Sequence, residues 1–208
     1  MCCRSGIAFR ASPWNAFPPS PLPDRVVEAD ELYQNAGEKG RRHPDPEDPP
    51  RRRGNRFNGH GTFDNDRPPV LGVIGRESGQ VFLRQTYRST QKAIEPVVLR
   101  VTREGTEVHT DEWHAYDGLD DRGRTRHSVN HNRHEWARDD DGDGIREVHC
   151  NTIEGHWLGL RNFLRPFRGV SKWCLDLYVA FYQCLHNFRR DFLGFLQRLF
   201  GAFTPNGP

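Results

Sequence analysis

Two short stretches decide how this chain folds: Val-His-Thr-Asp-Glu-Trp-His-Ala-Tyr at residues 108–116 and Val-His-Cys-Asn-Thr-Ile-Glu-Gly-His-Trp at residues 148–157. Each holds one acidic residue next to a predicted element, Asp111 in the first stretch and Glu154 in the second. The alternation over residues 106–110 predicts a short strand that ends just before Asp111. The second stretch opens a helical run. Both carboxylates are therefore candidates for a catalytic or metal-binding site.

A third acid, Asp30, lies upstream within residues 26–33, Val-Val-Glu-Ala-Asp-Glu-Leu-Tyr, which have strand-like composition. A carboxylate in a central strand loses hydration, and it is tolerated when a cation or strong hydrogen-bond donors offset that loss. The alternative is an edge strand in which Glu28, Asp30 and Leu32 form one solvated face. The pattern alone favours neither.

Purely structural roles are also open for the other two acids. Asp111 has the residue type of a helix N-cap. Asn151, followed three residues later by Glu154, resembles a capping box at the start of a helix. Each motif taken alone is more often structural than catalytic.

The length of 208 residues predicts one domain with a hydrophobic core. The hydrophobic fraction of 35% and the mean hydropathy of −0.84 are low, so part of the chain is expected to be loop or tail. Residues 1–23, which are rich in proline, are predicted to be a disordered lead-in. The five cysteines make no disulfide framework, and no apolar run reaches the roughly 18 residues of a membrane span. A soluble, cytoplasmic protein without membrane contact is the expectation.

The segment at residues 34–69 is rich in Gly, Pro, Arg and Asp. This composition predicts a long loop inserted after the first strand. Arginine clusters suit contacts with DNA phosphates, because each guanidinium can donate two hydrogen bonds to one phosphate. The candidates for DNA binding in this loop are Arg51, Arg52 and Arg53. The alternative is a solvated linker whose charge nearby acids balance.

All elements together, the first strand at 26–33 included, are predicted in the order strand, strand, strand, helix, strand, helix, strand, helix. Residues 70–76 and 81–87 read as a hairpin, and a helix follows near residues 89–101. A short helix at 115–119, a strand at 127–131 and a late helix at about 172–190 complete the domain, with a C-terminal helix extension and tail at 191–208. This order suits a ribonuclease H-like α/β fold over residues 24–190, with a mixed five-stranded sheet flanked by helices.

The helix that starts at Asn151 has two faces. A core stripe recurs at Ile153, Trp157, Leu160 and Leu164. A neighbouring face carries Asn151, Glu154, Arg161 and Arg165. This face would hold a carboxylate towards metal while Arg161 and Arg165 follow a phosphate backbone.

Two metal motifs are weaker. Asp139, Asp141 and Asp143 resemble the start of a calcium loop, but the twelfth position is Cys150, where calcium needs a bidentate Glu. The histidines at 127, 131, 134 and 149, together with Cys150, are zinc ligand types without the spacing of a closed zinc motif. His131 has an alternative role as an active-site donor.

Several separated motifs together resemble the catalytic domain of bacterial insertion-sequence transposases of the DDE type, the group with an ISXO-like transposase domain. The resemblance extends from about Leu22 to about Arg190. It rests on Glu28-Ala29-Asp30-Glu31, Thr110-Asp111-Glu112-Trp113 with Tyr116, Val129-Asn130-His131, and His149-Cys150-Asn151-Thr152-Ile153-Glu154-Gly155.

The resemblance implies that Asp30, Asp111 and Glu154 are the catalytic triad and bind two Mg²⁺ ions, which Mn²⁺ can replace, with His131 and Asn151 as auxiliary residues. It also implies metal-dependent nicking and strand transfer at transposon ends, DNA as partner, a homodimer in a synaptic complex, and a nucleoid-associated location. The family's N-terminal zinc ribbon and helical DNA-end-binding region have no counterpart here, so an N-terminally truncated copy is expected. The alternatives are an inactive remnant that binds DNA non-specifically and a metal-binding structural protein.

Overall fold

A five-stranded mixed sheet forms the centre of the protein. The computed structural model describes residues 21–41 and 60–189. The strands are β1 (Val26–Tyr33), β2 (Pro69–Gly75), β3 (Val81–Gln85), β4 (Glu107–Thr110) and β5 (Thr125–Ser128), in the order β3-β2-β1-β4-β5. β1 pairs antiparallel with β2, which pairs antiparallel with β3, whereas β1, β4 and β5 are parallel. This topology confirms the predicted ribonuclease H-like fold.

Helices cover both faces of the sheet, so β2 is buried at every position. Helix α1 (Gln91–Val101) packs on one face. Helices α2 (Asn151–Leu164) and α3 (Leu175–Phe188) pack on the other. A small hairpin of β6 (Ala137–Arg138) and β7 (Val148–His149) lies between β5 and α2 in the chain. The covered faces explain why β2 is a continuous apolar run and does not alternate.

The central position of β1 decides between the two interpretations of its acids. β1 spans the predicted residues 26–33, and its side chains alternate between the two helical layers. Leu32 packs in the core under α2 and α3, and Val27 and Ala29 pack in the core under α1. Glu28 is fully buried. The edge-strand interpretation is therefore wrong.

Several predicted boundaries differ from the structure. The helix predicted at 115–119 is a single 3-10 turn at His114–Tyr116. The strand predicted at 127–131 ends at Ser128, because His131 begins another 3-10 turn, His131–Arg133, stabilised when the Asn130 side chain accepts a hydrogen bond from the Arg133 amide.

The end of the predicted lead-in belongs to the domain. Leu22 is buried in the core under α1, and its amide donates to the Val101 carbonyl at 2.8 Å. Two residues on, Asp24 accepts hydrogen bonds from the amides of Glu77 and Ser78 and thereby holds the turn between β2 and β3. Residues 1–20 and the C-terminal extension at 191–208 lie outside the described residues.

Among the described residues, no helix has the length and apolar content that crossing a membrane requires.

Candidate active site

The sheet brings Asp30 and Asp111 together. In the parallel pairing of β1 with β4, Val27 lies opposite Val108 and Glu28 lies opposite His109. Continuing this register places Asp111, the first residue after β4, beside Asp30. Both carboxylates are therefore on the sheet face that α2 covers, at the carboxyl end of β4.

Helix α2 contacts Asp30 directly. The Trp157 indole Nε1 donates a hydrogen bond of 2.7 Å to Asp30 Oδ2. Gly72 lies opposite Asp30 on β2 and makes room for this indole, since a Cβ at Gly72 would lie 2.4 Å from Trp157 Cη2. A glycine inside a strand often marks such a close approach.

The charges of the site act on each other. Burial raises the pKa of the Asp30 carboxyl to about 6; the Trp157 hydrogen bond opposes part of the rise, and the negative charges of Asp111 and Glu154 add to it. Burial also raises the pKa of Asp111, against the hydrogen bond from the Trp113 amide. Three elements distant in sequence thus place like charges within electrostatic reach of one another.

Asp111 makes a local hydrogen bond that differs from the predicted N-cap role. Its Oδ1 accepts a hydrogen bond of 2.9 Å from the Trp113 amide, which is a local turn. The N-cap position of the short 3-10 turn that follows belongs to Trp113. Asp111 is therefore not a helix N-cap, and its other oxygen has no hydrogen-bond donor among the described residues.

Glu154 lies in the first turn of α2 with its side chain 47% exposed. His131 Nε2 approaches its Oε1 at 3.4 Å. The capping-box interpretation is wrong, because Cys150 and not Asn151 occupies the N-cap position, without a side-chain hydrogen bond to the helix. Glu154 is consequently available to a ligand.

The residue that caps α2 is Glu28, from β1. Its Oε2 accepts hydrogen bonds from the amides of Thr152 at 2.8 Å and Ile153 at 3.0 Å, and its Oε1 accepts one from the Thr152 hydroxyl at 2.8 Å. A carboxylate at a helix N-terminus is favoured by the free amides and the helix dipole. Glu28 thereby fixes the start of the Glu154 helix against the Asp30 strand.

Arg76 completes this attachment. Its Nε donates to Glu28 Oε1 at 2.7 Å, and its two terminal nitrogens donate to the carbonyls of Glu147 and His149, at 2.5 and 2.7 Å. The buried charge of Glu28 is therefore paired, and the segment that leads into α2 is bound to β2. Sequence reasoning assigned no role to Glu28 or Arg76.

Comparisons with known proteins identify the family of the chain. A family model described as an ISXO2-like transposase domain matches residues 22–191, most of the chain. The chain belongs to this transposase family. A relative in Halobacterium salinarum, an uncharacterised protein in the transposable element ISH50, is 36% identical over 166 residues. The match covers 79% of this chain and 53% of the relative, so the chain spans about half of that protein's length.

Solved structures similar to the transposase domain include retroviral integrases. The catalytic core domain of BIV integrase gives a TM-score of 0.48 at 10% identity, covering 87% of this chain and 99% of that one. The HTLV-2 integrase catalytic core domain in complex with magnesium, in its trimeric form, gives 0.40 at 10% identity, covering 81% and 86%. The family match confirms the predicted DDE transposase catalytic domain.

The two predicted auxiliary residues, His131 and Asn151, have different surroundings. His131 lies next to Glu154, in a turn that Glu112 holds: Glu112 accepts from the His131 amide at 2.9 Å and from the Asn132 side chain at 2.6 Å. Asn151 is exposed at the first position of α2, one turn before Glu154. Sequence reasoning missed Glu112, although it directly follows Asp111.

The predicted DNA-binding arginines are only partly described. Arg161 and Arg165 are exposed and follow Glu154 by two and three helical turns, so they lie on its side of α2. The loop arginines, Arg51, Arg52 and Arg53, lie outside the described residues.

The weaker metal motifs do not assemble as predicted. Two groups of described residues have ligand atoms all within 4.8 Å of one another: Glu107 with His109 and His127, and Asp139 with Asp141 and Glu147. The zinc candidates His127, His131, His134, His149 and Cys150, whose spacing already argued against a site, are not among them as a set, and Cys150 is buried. The predicted triad of Asp30, Asp111 and Glu154 is not among them either, so its ligand atoms do not all lie within 4.8 Å of one another.

Proposed function

We propose that Asp30, Asp111 and Glu154 bind two divalent metal ions, Mg²⁺ or its substitute Mn²⁺, and that the chain uses this site to nick transposon ends and transfer the strand. The observation that carries the proposal is the placement of Asp30. It is a carboxylate on the central strand with two further carboxylates nearby, and no lysine or arginine among the described residues forms an ion pair with it.

The donor set fits the ions. Carboxylate oxygens are the ligands that Mg²⁺ prefers. Asp30 lies on β1 and Asp111 directly follows the adjacent strand β4, whereas the half-exposed Glu154 side chain can rotate to complete the site.

Each residue has a role in the proposed reaction. When bound, a pair of ions activates the attacking hydroxyl and stabilises the leaving oxygen. Asp30 and Asp111 hold the ions at the sheet, with Trp157 orienting Asp30. Glu154 closes the site from α2, and His131 orients its carboxylate.

The proposed chemistry has two steps. In the first, a water oxygen attacks the phosphorus at the transposon end and the P–O3′ bond breaks, which frees a 3′ hydroxyl and leaves a 5′ phosphate. In the second, that hydroxyl attacks a target phosphodiester and displaces the target's 3′ oxygen. Each step is an in-line displacement at a single phosphorus, first that of the transposon end and then that of the target, so the same site would serve both in turn.

DNA is the proposed partner, approaching along the exposed side of α2. Arg161 and Arg165 lie on the same side as Glu154, where they can contact phosphates while the scissile phosphate reaches the carboxylates. The loop arginines Arg51, Arg52 and Arg53 are proposed to add phosphate contacts. A homodimer that holds two transposon ends, acting on the nucleoid in the cytoplasm, follows from the same proposal.

Nicking of a supercoiled plasmid that carries this gene with its flanking DNA tests the function. With Mn²⁺, the full chain is expected to convert supercoiled DNA to nicked circles and to join ends to target DNA, and Glu154→Gln is expected to lose both activities by at least about a thousandfold. Gel electrophoresis of the products measures both.

Glu104→Gln is the matched control, since Glu104 is exposed on the turn before β4, away from the triad. It is expected to keep wild-type activity. Absence of activity from a folded wild-type protein, or equal activity in Glu154→Gln, would contradict the proposal, and retained plasmid binding without cleavage would favour a DNA-binding remnant.

A further inference from the structure

A second cluster of metal-ligand side chains lies on the β4–β5 side of the sheet. Its nearest member in the chain, His109, precedes Asp111 by two residues. Glu107 and His109 are two residues apart on β4, so they share one face, and His127 is the register partner of His109 on β5. One ligand atom from each of the three residues lies within 4.8 Å of the others. This spacing brings three ligands around one point.

His109 supplies an independent sign of a ligand. Only 2% of the residue is exposed, and its Nδ1 has no hydrogen-bond partner within residues 21–41 and 60–189. A buried polar atom without a partner costs about 1–3 kcal/mol of stability, so such atoms are rare in folded proteins. A metal ion bound at this imidazole would supply the missing interaction.

His127 has the second interaction that metal-binding histidines usually show. Its Nδ1 lies 3.3 Å from Asp140 Oδ2, which leaves Nε2 as the nitrogen for a metal ion. A carboxylate on the far nitrogen fixes the ring and makes the metal-binding nitrogen more basic.

The neighbouring charges allow a cation here. The positive charge of Arg76 acts on His109, but Glu28 and two backbone carbonyls already bind its guanidinium. Arg25, which pairs with Glu107 at 3.2 Å, is 73% exposed, so it can give way to an ion. Asp140 adds a negative charge beside His127.

We propose that Glu107, His109 and His127 bind one divalent transition-metal ion of the zinc class, separate from the catalytic ions. Two imidazoles and one carboxylate are a ligand set that zinc favours and magnesium does not. The fourth position is left for water. The ion would join β4 to β5 at the strand whose end carries Asp111. This inference is independent of the proposed DNA chemistry.

Titration with Co²⁺, a coloured substitute for zinc, tests the site on the full chain after removal of metal with EDTA. The background is Asp111→Asn with Glu154→Gln, so that the triad does not compete for the ion. We expect one Co²⁺ per chain with a visible absorption band, displaced by Zn²⁺. His127→Gln is expected to lower the affinity for Co²⁺ at least about a hundredfold. This is more than the loss typical of a residue that only hydrogen-bonds to a metal ligand.

Two further variants make the result specific. Asp140→Asn should weaken binding about tenfold, because Asp140 acts through His127. Asp141→Asn, in the acidic group of Asp139, Asp141 and Glu147, should leave the affinity for Co²⁺ unchanged. Glu107→Gln repeats the test if His127→Gln does not fold. Binding that survives His127→Gln, or Glu107→Gln in its place, or that depends on Asp141, would overturn the proposal.

Discussion

Replacing Asp30 with asparagine is expected to abolish metal-dependent strand cleavage and, at the same time, to stabilise the metal-free protein above pH 6. Loss of the carboxylate removes a proposed ligand of both ions, so nicking should fall by at least about a thousandfold, or about 4 kcal/mol of transition-state stabilisation. Asparagine still accepts the hydrogen bond from Trp157, so the fold around the site is retained.

The stability gain follows from the pKa of Asp30. Burial, the largest cause, raises this pKa from 3.8 to about 6 in the folded protein. A carboxyl with a raised folded pKa contributes stability that is fully present below pH 3.8 and is lost as the pH rises through about 6. At pH 7.5 the ionised Asp30 therefore costs the metal-free protein up to about 3 kcal/mol, which asparagine avoids.

Urea unfolding in EDTA at pH 4 and pH 7.5 measures this difference, and Asp24→Asn is the matched control. Asp24 is a buried aspartate of the same domain, but three donors hold its carboxylate: the amides of Glu77 and Ser78 and the Ser78 hydroxyl. Asp24→Asn should destabilise by about 1–3 kcal/mol and leave the metal site intact. An Asp30→Asn protein that is less stable than wild type at pH 7.5, or that cleaves DNA, contradicts this account.

Replacing Glu28 with alanine is expected to lower the free energy of unfolding by about 3–5 kcal/mol, the usual effect of breaking a buried ion pair. The Arg76 guanidinium would lose its carboxylate partner, and the amides of Thr152 and Ile153 would lose their acceptor. The start of α2 would then be free to shift, so the position of Glu154 relative to Asp30 should be lost as well. Urea unfolding at pH 7.5 measures the first effect and the plasmid assay the second.

Thr152→Ala separates the helix cap from a general loss of packing. It removes one hydrogen bond to Glu28 and keeps both amides, so about 1 kcal/mol is the expected loss. The loss of stability in Glu28→Gln should lie between those of Glu28→Ala and Thr152→Ala. The glutamine oxygen can still accept hydrogen bonds from the helix amides, but the negative charge that pairs with Arg76 is gone. If Glu28→Ala costs no more than Thr152→Ala, Glu28 does not fix the helix as described.

Local pattern was sufficient to predict the elements that carry the triad. The prediction for β1 matches its observed residues 26–33. Apolar and β-branched residues over a short stretch are enough to predict a strand. The strand before Asp111 and the start of α2 were also placed correctly. Whether Asp30 faced solvent or the core was not decidable from the pattern, because that depends on which strands flank β1.

The contacts that support the site could not be predicted, because they join residues far apart in the chain. Glu28 accepts from Thr152, which is 124 residues away, and Trp157 donates to Asp30 across 127 residues. The local sequence predicts other roles for these residues: Glu28 is an acidic residue of a strand, and Trp157 belongs to the core stripe of its helix. The misassigned capping box has the same origin, since Asn151 and Glu154 fit the local motif while the real cap comes from β1.

The most direct test of the central claim is the anomalous diffraction of crystals soaked in Mn²⁺. The account predicts two manganese peaks about 3.5–4 Å apart, bound by Asp30, Asp111 and Glu154, with Glu154 rotated towards the sheet. Crystals of Glu154→Gln should lose at least one of the peaks. Manganese bound only at the exposed acidic group of Asp139, Asp141 and Glu147, with none between Asp30 and Asp111, would contradict the assignment of this triad as the catalytic metal site.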